Sequence, residues 1–250
     1  MAHFENDTQS HQHSLTILNQ LAQYDNFLEN LSSVADMGCG YGYDITWWAQ
    51  KENNFEDPPK PYNYTCYAID LEPSYISSSL PNNVHVIHGD FEKKLLPHAV
   101  DFMWSHNSFQ YALNPINTLK IWNEQLNENG MLYICVPTQR YTKNNRLVRD
   151  SANYEYFNHT LSNLTYMLAV NGFDCNDAYF LKNEAEPWIH AAVYKSSIEP
   201  MDPRKTSWSD LAALNLLNAS MVESINKYGC VKENELIFTW LDRSWHYCKD

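Results

Sequence analysis

The chain reads as an α/β protein: a three-layer α/β/α, doubly wound, mostly parallel seven-stranded sheet, preceded by an N-terminal helix and followed by a C-terminal helical extension. Three observations predict this. Short β-rich runs alternate with helical stretches from residue 31 to 137, a pattern that builds parallel sheets buried on both faces. An apolar run, a glycine-rich turn and a helix follow one another in "VADMGCGYGYDITWWAQ", residues 34 to 50. With 250 residues, 44% of them hydrophobic, the chain has enough apolar mass for one large domain with appendages.

The elements follow in order. Ser10 precedes Leu15, Leu18, Leu21, Ala22 and Leu28, a helical period that predicts an amphipathic helix over about residues 12 to 29. The β-rich runs are Val34 to Met37, Thr65 to Asp70, Val84 to His88, Val100 to Ser105 and Met131 to Val136. Between the first two, "KENNFEDPPKPYNY" carries three prolines and polar residues and reads as a loop insertion. A helix over about 158 to 170 stops at Gly172, and two further strands are expected near Cys175 to Lys182 and Trp188 to Lys195. "IEPMDPRKT" reads as a linker. Ser207 and Asp210 form a capping-box pattern for a helix carrying Leu211, Leu214, Leu217, Met221 and Ile225 and ending at Gly229. A last helix is expected over about 233 to 247, with Leu236, Ile237, Trp240, Leu241 and Trp245 on one side. The organisation is thus an N-terminal helical segment (1–30), a core domain (31–197) and a C-terminal extension (198–250) whose helices pack on the core or on a second copy of the chain.

Thirty acidic against seventeen basic residues give a net charge of −13, which repels phosphate backbones over the surface and argues against broad nucleic-acid binding. No run is apolar and long enough for a membrane span, and the start "MAHFENDTQSHQH" lacks a secretion signal, so a cytoplasmic protein is expected. The six cysteines show no CxxC spacing, and Cys39, Cys66 and Cys135 sit in or beside expected core strands, which suits buried thiols. His3, His11 and His13 lack further ligands at recognisable spacing; they read as a solvated leader, and no metal is expected.

In the glycine turn, a strand followed by Gly38-x-Gly40-x-Gly42 lets backbone approach a nucleotide-like ligand closely, because glycine lacks a Cβ and accepts positive φ. The dinucleotide fingerprint requires glycine at position 43, where this chain has Tyr43, which weakens an NAD-linked reading. Asp36-x-Gly38-x-Gly40-x-Gly42 resembles motif I of the class I S-adenosylmethionine-dependent methyltransferases. "YAIDLEP", "VIHGDFEK", "VDFMWSHNSFQYALNP" and "LNENGMLYICVPT" follow in the order of that family's second to fifth strands, so the resemblance covers about residues 31 to 197. It implies S-adenosylmethionine as cofactor and S-adenosylhomocysteine as product. It further implies cofactor contacts at Asp36, Gly38, Cys39, Gly40, Tyr41 and Gly42, ribose contacts at Asp70 beside Leu71, adenine contacts at Asp90 and Phe91, and a further cofactor contact at Ser105.

The resemblance places acceptor-facing groups after the fourth strand, at Ser105, His106, Asn107 and Gln110. His106 and Asn107 are the catalytic candidates, His106 as a base for an oxygen acceptor. The family's members acting on amino groups of bases or glutamine carry an Asn/Asp-Pro-Pro-Tyr-like tetrapeptide there; this chain has Ser-His-Asn-Ser and looks more like the small-molecule branch. Arg140, Lys143, Arg146 and Arg149 concentrate basic charge after the fifth strand and suit an anionic acceptor, with Tyr141, Tyr154, Tyr156 and Phe157 as candidate pocket walls. The leading expectation is methyl transfer to an oxygen or nitrogen of a small, anionic molecule. The alternatives are an RNA or tRNA methyltransferase using the basic segment, and a non-catalytic subunit that keeps the fold; a homodimer through the C-terminal helices is a further expectation.

Overall fold

The computed structural model describes residues 2–23, 27–53, 58–72, 80–138, 157, 159–182, 188–241 and 244–247. The chain starts with α1 (Ala2–Leu21) and a 3-10 turn (Phe27–Asn30), then β1 (Ser33–Met37) and α2 (Tyr43–Ala49). A small hairpin of β2 (Glu52–Asn53) and β3 (Lys60–Pro61) occupies the proline-rich insertion. There follow β4 (Thr65–Asp70), β5 (Val84–His88), β6 (Val100–His106), α3 (Pro115–Glu124) and β7 (Leu126–Pro137). The chain continues with α4 (Leu161–Val170), β8 (Phe173–Lys182), β9 (Trp188–Lys195), α5 (Trp208–Ala213), α6 (Ala219–Tyr228), β10 (Ile237–Thr239) and β11 (Trp245–Tyr247).

Seven strands form one sheet in the order β5-β4-β1-β6-β7-β9-β8. The five strands from β5 to β7 are parallel, and β9 joins antiparallel to both β7 and β8. Each expected strand is found, with ends moved by a few residues at most except in β7. That strand starts at Leu126, because Val100 pairs with Leu126 before the register shifts to Phe102 and Met131. Along β1, Ala35 and Met37 enter a core shared with α4 and the C-terminal residues, whereas Val34 enters the opposite core with Leu18, Leu21, Ile45 and Trp48. Burial on both faces is the reason the inner strands β1, β4 and β6 read as continuous apolar runs.

The N-terminal helix differs from its expected span of 12 to 29. It ends at Leu21, and its middle is anchored by hydrogen bonds from His11 and Ser14 to Asp44 of α2. Ser14, Ile17, Leu18 and Leu21 are buried at the i, i+3, i+4, i+7 spacing of one helix face. The α4 helix matches the expectation closely: Thr160 and Asn163 form a reciprocal capping box, and the chain leaves the helix through Gly172 at φ 79°. A Cβ at Gly172 would lie 2.3 Å from the Ile198 carbonyl oxygen, so the position admits glycine alone.

The C-terminal expectations require two corrections. The single helix from Ser207 to Gly229 is two helices: Ser207 and Asp210 do cap α5, but Asn215 takes φ 59° and Asn218 caps a new start for α6. The break lets Leu216 and Leu217 reach the core, where the Leu216 carbonyl accepts from Cys175 N at 3.1 Å. The last helix is absent; a hairpin of β10 and β11 stands in its place. Leu236, Phe238 and Trp240 are buried while Ile237 and Thr239 are half-buried, which is the period of two of a strand. Trp240 Nε1 donates to Gln20 Oε1 at 2.8 Å, so this segment closes on α1. Among the described residues no helix is long and apolar enough to cross a membrane.

Candidate cofactor site

In the sheet order, the strands flanking β1 lead away in opposite chain directions, so the crevice beyond the carboxyl ends of β1 and β6 is the topological switch point where ligands bind in such sheets. The glycine turn fills one side of it. Gly38 N and Cys39 N both donate to the Ile69 carbonyl, at 2.9 and 3.0 Å, which fastens the turn to the end of β4. Gly38, Gly40 and Gly42 take φ of 89°, 50° and 77°. A Cβ on Gly38 would lie 2.5 Å from Ser108 Cβ, whereas one on Gly40 would meet nothing within 4 Å. The first glycine thus permits tight packing, and the second leaves space for a ligand.

Beneath the turn a pocket is lined by His11, Asp36, Gly38, Cys39, Gly40, Tyr41, Tyr43, Asp44, His106 and Asn107. The structure therefore brings together Asp36, most of the glycine turn and both catalytic candidates. Asp70 joins them by accepting Gly40 N on Oδ2 and Glu72 N on Oδ1, both at 2.9 Å. Each carboxylate oxygen keeps a second lone pair for ribose hydroxyls. Gly42 lines an adjoining cleft with Tyr43, Thr46 and Trp47. On the outer flank, Leu71 is exposed, Asp90 Oδ1 accepts Glu92 N at 3.0 Å, and Phe91 packs edge-on against Trp122. Phe91 still borders the turn, since its ring lies 3.8 Å from where a Gly38 Cβ would stand.

Two expected contacts do not reach the pocket. Ser105 is fully buried and its hydroxyl pairs with Ser108 Oγ at 2.8 Å, while Ser108 in turn donates to the Met37 carbonyl. Its place is to brace the strand that carries the turn. Gln110 is also buried; its Nε2 donates to Asn107 Oδ1 at 2.6 Å, which holds Asn107 at its φ of 56°, and Gln110 Oε1 has no hydrogen-bond partner. Arg140, Lys143, Arg146, Arg149, Tyr141, Tyr154 and Tyr156 lie outside the described residues; Phe157 is exposed.

His11 and His13 are not part of a solvated leader. His11 Nδ1 lies 2.9 Å from Asp44 Oδ1, and His13 Nδ1 lies 3.0 Å from His106 Nε2, so α1 roofs the pocket. Asp44 was not singled out by sequence, and neither were these histidines as site residues. One signal existed: the apolar stripe of Leu18 and Leu21, continued upstream by helical steps, lands on Ser14 and His11.

The electrostatics of the site are those of a cation receptor. Burial first, then the proximity of Asp44 and Asp70, pushes the Asp36 carboxyl well above the usual carboxylate range. Burial opposes ionisation of Asp44 too, but hydrogen bonds from His11, Ser14 and Trp104 and the nearness of His106 outweigh it and hold its carboxyl low. Burial drops His106 to about 4, with His13 and His11 adding to the fall and Asp44 opposing it. Burial also pushes the Cys39 thiol up, so it is no nucleophile. Three carboxyl groups around a glycine turn repel a pyrophosphate and attract a positive ligand; S-adenosylmethionine, with a sulfonium and an ammonium and no phosphate, fits that donor set.

Residues 35–134 match a family model described as a methyltransferase domain. Among solved structures, the chain is similar to a Listeria monocytogenes protein assigned to the S-adenosylmethionine-dependent methyltransferases, with 13% identity over 76% of this chain and 100% of that one at a TM-score of 0.53. It is also similar to the Burkholderia thailandensis 1,6-didemethyltoxoflavin-N1-methyltransferase solved with 1,6-didemethyltoxoflavin and S-adenosylhomocysteine: 14% identity, 77% and 87% of the two chains, TM-score 0.50. A third similar structure is StiE O-MT residues 961–1257, with 13% identity over 82% of this chain and 78% of that one at 0.54. At such identities the likeness is one of fold. No curated protein sequence matches the chain.

Proposed function

We propose that this protein is an S-adenosylmethionine-dependent methyltransferase that acts on an oxygen or nitrogen atom of a small, anionic molecule, a reading supported by the match of residues 35–134 to a methyltransferase-domain model. The bound cofactor supplies an electrophilic methyl group on a positively charged sulfur. The protein's own work is to hold that charge, align the acceptor and exclude water.

The observation that carries the proposal is the position of His106 and Asn107, which close the pocket opposite the glycine turn and under α1. A roofed pocket of this kind suits a small acceptor better than a polynucleotide, and the net charge of −13 adds to that preference. The basic segment Arg140, Lys143, Arg146 and Arg149 follows β7, whose carboxyl end adjoins that of β6, and supports an anionic acceptor. Two of the similar structures carry small-molecule or oxygen-directed descriptions, an N1-methyltransferase holding its acceptor and an O-MT. His106 at about 4 lies far from the neutral range that suits a general base, so its part is to orient the acceptor in its neutral form.

The test is transfer of a labelled methyl group from S-adenosylmethionine to a panel of anionic hydroxyl and amine metabolites, with total RNA in parallel. Labelling of small acceptors, weakened by His106→Ala and Asn107→Ala, supports the proposal; labelling of RNA alone overturns it.

A further inference from the structure

Three neighbouring strands carry a row of side chains that begins at the pocket, with His106, and runs away from it under α1. His106 on β6 stands in register with Cys135 on β7, and Cys135 with His190 on β9. Residues in register on adjacent strands project to one face of the sheet. Here it is the face under α1, which places His13 over the row. Its ring centre lies 5.1 Å from that of His106 and 5.2 Å from that of His190.

One ligand atom from each of His13, His106 and Cys135 lies within 4.8 Å of the others, and the two imidazole nitrogens are already 3.0 Å apart. A tetrahedral zinc ion with bonds of about 2.0–2.3 Å sets its ligand atoms roughly 3.3–3.7 Å apart, so the sulfur side needs to close by about 1 Å. His13 can supply that movement, because it stands on a half-buried part of α1 whereas the other two sit in the sheet. Two imidazoles and a thiol select zinc-like ions over magnesium or calcium. The surroundings are those of a supported site: Trp104 stacks on His106, Asp44 offers a nearby negative charge, and the Tyr133 hydroxyl pairs with His190 Nδ1 at 2.9 Å.

We propose that His13, His106 and Cys135 bind a zinc-class divalent ion, with a fourth coordination position open beside the pocket that His106 shares with Asn107. Three protein ligands and one open position are the composition of a catalytic rather than a structural zinc site. An ion there would lower the pKa of an acceptor hydroxyl placed at the open position. That last point rests on the transferase reading; the binding does not.

The experiment is titration of the full-length, chelator-stripped protein with cobalt(II), read by absorption. Stoichiometric uptake is expected, with a thiolate-to-cobalt charge-transfer band, intense tetrahedral visible bands, and displacement of both by zinc(II). Cys135→Ser removes the charge-transfer band, and His13→Gln weakens binding by about tenfold or more. His98→Gln, at an exposed position, leaves both unchanged. Should Cys135→Ser fail to fold, His13→Gln decides the matter alone, with circular dichroism verifying its fold. No uptake by the wild type, uptake without the charge-transfer band, affinity unaltered by His13→Gln, or loss with His98→Gln would each overturn the site. Calorimetry of S-adenosylmethionine on the same stripped protein keeps failure of the metal site distinct from failure of the transferase reading.

Discussion

Asp36 occupies a position unfavourable to a bare carboxylate, buried beside Asp44 and Asp70, so its proton is held in the folded protein above the usual range. A cationic ligand favours the ionised form. S-adenosylmethionine binding is therefore expected to release protons and to strengthen as pH rises through the titration of Asp36. Calorimetry in two buffers of different ionisation enthalpy reads that release; Asp36→Asn should abolish it while also weakening binding. Asp70→Ala removes the acceptor for Gly40 N as well as for the ribose hydroxyls. Charge-assisted bonds contribute roughly 1.5–3 kcal/mol each, so a loss of about tenfold to a hundredfold in cofactor affinity is expected with the fold retained. An unchanged Kd would remove Asp70 from the site. These acids stood out in the sequence through the resemblance of their strand-end positions and the glycine pattern to the methyltransferase motifs. Asp44, His11 and His13 were not, because their roles arise only when α1 folds back over α2, across 33 residues in the case of His11 and Asp44.

At the scale of elements, the inner strands were legible because burial on both faces leaves an unmistakable composition, and two helix ends because Ser207 and Gly172 mark them. The C-terminal hairpin was not. Leu236, Ile237, Trp240 and Leu241 satisfy a helical spacing as well as Leu236, Phe238 and Trp240 satisfy a strand's, and the choice is made by the core that receives them. Phe180 of β8 meets Phe238 with ring centres 5.3 Å apart, a contact that requires the strand phase. The two phases make opposite mutational predictions. Phe238→Ala should cost about 3–5 kcal/mol of stability, whereas Ile237→Ala, at a half-buried position, should cost no more than about 1 kcal/mol. Chemical denaturation of the two variants measures the difference, and equal losses would restore the helix.

Over the whole molecule, charge and burial set the pH range in which the protein is stable. Wild-type folding keeps His159 neutral: it is 1% exposed, stacks on Phe109 with ring centres 5.4 Å apart, and neither ring nitrogen finds a hydrogen-bond partner. Burial drops its pKa to about 4. The unfolded chain binds a proton at this residue near pH 6.5, and the folded chain does so only near 4. The stability tied to His159 is thus fully present above about 6.5, falls as the pH drops through the interval, and is exhausted below about 4. The gap corresponds to a share on the order of 3 kcal/mol. His159→Phe keeps the stacking and removes the titration, so its unfolding free energy should decline less steeply than the wild type's between pH 6.5 and 4. Urea denaturation at a series of pH values checks this. Parallel curves across the interval would show that His159 takes up its proton in the folded state as readily as in the unfolded one, through a partner that the buried, stacked arrangement does not supply.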